Sequence, residues 1–112
     1  MNYEAKVKTL REKTTLLPDT FESFGITIES IGFSGIDDDM FDIILEVSGK
    51  LKRLENIDIK ANLYDKEGNI IATESVWLNS EKDRGYDSFT MLIDEPDIVE
   101  RTEKIRLFAT LS

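Results

Sequence analysis

The sequence predicts an all-β domain: an antiparallel β-sandwich of about six to eight strands in two sheets. Three observations predict it. Apolar residues alternate with polar ones along at least three segments, the period-two pattern of strands with one dry face and one wet face. Turn residues fall between these segments at sandwich-like intervals. The chain has 112 residues with 40% apolar composition, enough for one core and one domain.

The cleanest strand is Phe41–Gly49, where Phe41, Ile43, Leu45 and Val47 share one face and Asp42, Glu46 and Ser48 the other. In Ile57–Tyr64, Ile57, Ile59, Ala61 and Leu63 point one way, and Asp58, Lys60 and Asn62 the other. Ile105–Leu111 repeats the pattern with Ile105, Leu107, Ala109 and Leu111. Phe24–Phe33 changes parity at Glu29–Ser30, which predicts a bulge or a bend. Asn69–Leu78 has Ile71, Thr73, Ser75 and Trp77 on one face and Ile70, Ala72, Val76 and Leu78 on the other, so both faces are expected to be partly covered, and Tyr86–Ile93 groups Phe89, Met91 and Ile93.

Turns complete the outline. Asp65-Lys66-Glu67-Gly68-Asn69 reads as a short hairpin with Gly68 at positive φ. Ser34–Asp39 is a polar loop, and Asn79–Gly85 a longer charged one. Pro96 stops the ladder before the last strand, and Asp97–Thr102 suits one helical turn. The N-terminal residues 1–20 are expected as a first edge strand or arm. Tyr3, Ala5, Val7 and Thr9 alternate as a strand would, although Ala5–Lys13 also reads as a short helix. Leu16-Leu17-Pro18 ends whichever element forms.

Composition excludes much chemistry. No Cys means no disulfide, thiolate nucleophile or thiolate zinc site, and no His removes imidazole ligands and the usual neutral-pH proton shuttle. The formal charge is −9, distributed as +1 over residues 1–20 and −10 over the remainder. Such a body repels phosphate backbones and anionic lipid, so neither nucleic acid nor membrane insertion is expected. Met1–Leu10 contains no apolar run of signal or spanning length. As written the chain reads as cytoplasmic, and a chain trimmed of an export signal would read the same.

Four groups of residues are candidates for function. Asp37, Asp38, Asp39 and Asp42 crowd carboxylates that a Ca²⁺ ion would relieve, without EF-hand spacing; a solvated turn with Asp caps is the favoured reading. Tyr64 and Trp77 fall on the outer faces of neighbouring strands, with Ile71 between them in the hairpin; they are expected to form an exposed patch for a protein partner or a second copy, the alternative being cover by a helix, a loop or the N-terminal segment. Lys50-Leu51-Lys52-Arg53 is a basic cluster at a strand connection. A catalytic site would have to use carboxylates, Lys, Tyr or Ser, and no spacing singles out a pair, a phosphate loop or a nucleophile elbow. The expectation is therefore a non-enzymatic interaction module without a cofactor, with a calcium-binding sandwich as the alternative.

The run Ala61-Asn62-Leu63-Tyr64-Asp65, followed by Lys66-Glu67-Gly68-Asn69-Ile70-Ile71, resembles bacterial FxLYD-type domains. In that family a strand ends in Leu-Tyr-Asp and turns back through a Gly-containing hairpin. Phe89-Thr90-Met91 matches the strand after the family's second loop, and the likeness covers roughly residues 41–111. Ala61 stands where the motif has Phe, and Asp83-Arg84-Gly85 where the usual Pro-Gly falls. The resemblance implies a small immunoglobulin-like sandwich, associates it with exported or surface proteins, and supplies no catalytic residues.

Overall fold

A computed structural model describes residues 3–37, 39–49, 56–79 and 85–111. Seven strands and three helices are formed by the described residues. In chain order these are α1 (Tyr3–Glu12), β1 (Thr14–Leu16), α2 (Pro18–Glu22), β2 (Ile26–Ser34), β3 (Phe41–Gly49), β4 (Asn56–Tyr64), β5 (Ile70–Asn79), β6 (Gly85–Ile93), α3 (Pro96–Arg101) and β7 (Lys104–Leu111). They build a four-stranded sheet, β1-β7-β4-β5, and a three-stranded sheet, β2-β3-β6.

The alternating residues close over one core. Phe41, Ile43, Leu45 and Val47 of β3 meet Ile57, Ile59, Ala61 and Leu63 of β4, with Ile105, Leu107 and Ala109 of β7 beside them. All eleven are buried. The smaller sheet has the order of immunoglobulin strands A, B and E, and β5-β4-β7 that of C′, C and F. β2 carries its expected irregularity: the register with β3 shifts between Ile28 and Ser30. This keeps Ile26, Ile28, Ile31 and Phe33 against the core despite their change of parity. Gly49 has φ +115, and a Cβ there would lie 2.4 Å from the Gly25 carbonyl oxygen, so only glycine fits.

The N-terminal segment corrects the expected strand. Tyr3–Glu12 is a helix, and the first strand is only Thr14–Leu16. A strand would have placed Tyr3, Ala5, Val7 and Thr9 on one face. The helix instead delivers Leu10 into the core, where it is fully buried. The Lys6 ammonium reaches the carbonyl oxygens of Glu100, at 3.3 Å, and Thr102, at the end of α3. Cations are favoured at a helix C-terminus. Burial lowers the pKa of Lys6 from the usual lysine range, and the carboxylates of Glu103 and Glu100 act against that.

The short β1 runs parallel to β7, pairing Thr14 with Ile105 and Leu16 with Leu107. It occupies the edge that a last immunoglobulin strand would take. The cover continues on both sides. The Ile105 amide donates to the Lys13 carbonyl (3.2 Å), the Leu17 amide to the Leu107 carbonyl (3.0 Å), and the Ala109 amide to Thr20 Oγ1 (3.0 Å). Pro18 opens α2 directly after this pairing, in the first turn, where its missing amide costs nothing.

Candidate functional site

The outer face of the four-stranded sheet is built by the polar positions of the alternating strands. Because Ile57, Ile59, Ala61 and Leu63 point inward, Asp58, Lys60, Asn62 and Tyr64 of β4 point outward. Register places Lys60 opposite Phe108, Asn62 opposite Arg106 and Tyr64 opposite Lys104 on β7. On the other side of β4, Asp58 pairs with Trp77, Lys60 with Ser75 and Asn62 with Thr73. The hydroxyl of Thr73 donates to Asn62 Oδ1 at 2.9 Å.

Register separates two residues expected together. Tyr64 and Trp77 lie on neighbouring strands, but Trp77 faces Asp58, six residues from Tyr64 along β4, about 20 Å away. Ile71 does not bridge them. The pairing shifts between Leu63 and Tyr64, and Ile71 is half-buried against the core. Trp77 itself is 50% exposed, and Ile70, at the hairpin end of the same strand, is 58% exposed. Tyr64 sits under two cations, with Lys104 Nζ 5.3 Å and the Arg106 guanidinium carbon 5.6 Å from its ring centre. Alternation identified the outward position of Tyr64. It could not identify these cations, because they come from a strand forty residues later.

Asp65 follows Tyr64 and closes the hairpin. Its Oδ1 accepts the amides of Glu67 (3.0 Å) and Asn69 (2.9 Å), and its backbone exchanges hydrogen bonds with Asn69 and Gly68. Gly68 has φ +87, as expected for this turn. Arg101 of α3 approaches Asp65 Oδ2 at 3.5 Å. The carboxyl is only 8% exposed. Its pKa is nevertheless lowered, first by the Asn69 amide, with burial opposing and the Asn69 side chain, the Glu67 amide and Arg101 assisting. Asp65, Lys66, Glu67, Glu100, Arg101 and Glu103 line a cavity of about 380 Å³.

The acidic loop is less convergent than its sequence. Asp37 Oδ1 accepts the amides of Asp39 (2.7 Å) and Met40 (2.9 Å), a local turn cap. Asp42 lies on the outer face of β3, opposite Ser34 and Leu92. Asp38 lies outside the described residues, as does the cluster Lys50-Leu51-Lys52-Arg53. Among the described residues no group of three or more acidic side chains is placed to hold a metal ion. No helix among them is long and apolar enough to cross a membrane.

The fold and its outer faces thus define an immunoglobulin-like β-sandwich whose last-strand position is filled from the N-terminus. Among solved structures the chain is similar to the Campylobacter jejuni protein Cj0090, at 11% identity and TM-score 0.46, covering 89% of this chain and 98% of that one. It is similar to part of a β-D-mannosidase from Dictyoglomus thermophilum, at 8% identity and TM-score 0.47, covering 64% of this chain and 9% of the enzyme. A glycosyl hydrolase family 2 member from Bacteroides cellulosilyticus gives 10% identity and TM-score 0.42, covering 81% of this chain and 15% of that one. No family model and no curated protein matches the sequence.

Proposed function

We propose that this chain is a non-enzymatic interaction module of the FxLYD type, which binds a protein partner or a second copy through the outer face of its four-stranded sheet. The observation that carries this reading is Trp77. An indole left half in water on a strand face forgoes burial worth about 1.5–3 kcal/mol, which a docked surface would recover. Among the described residues β5 is also the edge of its sheet, so backbone pairing and side-chain docking are available on one strand. The hairpin supports the FxLYD reading: Leu63 is core, and Asp65 ties the turn to α3.

Trp77→Ala tests the proposal. The variant is expected to keep the wild-type melting temperature within a few degrees while association weakens, measured by sedimentation velocity for self-association and by quantitative capture for a partner. A variant that unfolds would make Trp77 a structural residue and remove the anchor from this reading.

A further inference from the structure

The sandwich is polarised by charge. β2, β3 and β6 contain no Lys or Arg, whereas Asp42 and Glu46 project from the outer face of β3 and Glu29 lies at the bulge of β2. Every strand-borne cation among the described residues, namely Lys60, Lys104 and Arg106, lies on the outer face of the four-stranded sheet. The chain has 23 acidic side chains against 14 basic ones, and Arg101 is ion-paired with Asp65 and Asp97 among the described residues. Among the described residues no such pair engages Lys60, Lys104 or Arg106. Arg106 Nε is moreover buried without a hydrogen-bond partner. Lys104 and Arg106 share one aromatic ring, which holds two like charges side by side.

We propose that this face binds an extended acidic segment of a partner protein, with carboxylates at alternate positions; this rests on the reading of the chain as an interaction module. The spacing supports it. Lys104 and Arg106 are two residues apart on β7, about 7 Å, and Lys60 is the diagonal cross-strand neighbour of Arg106, about 7–8 Å. An extended segment repeats its side chains on one side every two residues, also about 7 Å. Three alternating carboxylates match three cations, and Phe108, opposite Lys60, supplies an apolar floor between them. A second copy of this chain is a poorer occupant. Two bodies at −9 repel, and the copy's Glu29 and Glu46 already accept the hydroxyls of Ser48 and Ser30.

Fluorescence anisotropy with a labelled Glu-Ser repeat peptide tests the proposal. The repeat is expected to bind in a salt-dependent manner, more tightly than a Gln-Ser repeat or an isomer with its Glu residues in one block. Lys60→Gln and Arg106→Gln are each expected to weaken binding about tenfold at unchanged melting temperature. Should Arg106→Gln misfold, Lys60→Gln and Lys60→Glu carry the comparison. Absence of binding at submillimolar peptide in low salt overturns the proposal. So do equal binding of the blocked isomer, equal affinity of the Lys60 variants, and stronger binding of a single-stranded oligonucleotide, of phosphatidylserine vesicles or of the unlabelled protein itself. If association is lost in Trp77→Ala but kept in Lys60→Gln and Arg106→Gln, the module reading stands and the acidic partner falls.

Discussion

Asp65 shows how one carboxylate can bind a hairpin to the rest of a fold. Two amides donate to it and favour its charged form, and Arg101 adds attraction from a helix remote in sequence. Its folded pKa lies below the usual aspartate value, so the charged form contributes stability above the unfolded pKa, and that contribution is lost as pH falls through the folded one. Asp65→Asn keeps an acceptor oxygen but loses the charge. It is expected to lower the melting temperature at neutral pH, with the difference from wild type shrinking below about pH 4, followed by thermal melts across an acid series. A constant difference at every pH would show that the charge is not what matters.

The strand edges are managed by two devices. On β7 the N-terminal segment covers the edge, and Thr20 ends the cover by accepting the Ala109 amide. Thr20→Val keeps the shape and removes the acceptor. With Ala109 buried, an unmet amide is expected to cost about 1–3 kcal/mol in urea unfolding. On β5 no further strand is added among the described residues, and the edge carries an inward charge. Glu74 pairs with Ala61, whose side chain is core. Its pKa is raised by burial first, then by Asp94 and Glu95. The charged form is therefore disfavoured in the fold, and stability falls as pH rises through the window between the unfolded and the higher folded pKa. Glu74→Gln is expected to melt higher than wild type at neutral pH and equally once wild-type Glu74 is protonated. If Glu74 guards the edge, the same variant associates more readily at high concentration, which light scattering would detect.

Over the whole molecule the two sheets divide both the topology and the charge. The core needs only that apolar positions alternate, so the outer positions are free to vary, and here the balance differs: Lys60, Lys104 and Arg106 outnumber Asp58 on one sheet, whereas Asp42 and Glu46 meet no Lys or Arg on the strands of the other. Net charge conceals this. At −9 the body opposes anions at long range, but screening within about 8 Å at physiological salt lets a local trio of cations act on what reaches contact. Salt dependence of binding, rather than net charge, therefore reports on this face.

Much of the fold was legible because its signals are local. Phe41–Gly49 shows its core face in a period of two, Gly68 marks a turn that needs positive φ, and the parity change at Glu29–Ser30 marks a bulge. The N-terminus was not legible, since Tyr3, Ala5, Val7 and Thr9 alternate as in a strand while the overlapping run Ala5–Lys13 also reads as a short helix. What decided it was a long-range requirement: Leu10 in the core and Lys6 at the end of α3. The candidate surface divides the same way. Sequence alone determined that Tyr64 and Trp77 face outward, because facing depends on neighbours in the chain. Only the tertiary structure decided that they stand apart and that Tyr64 keeps company with Lys104 and Arg106, because register between strands depends on residues that meet only when the sheet closes.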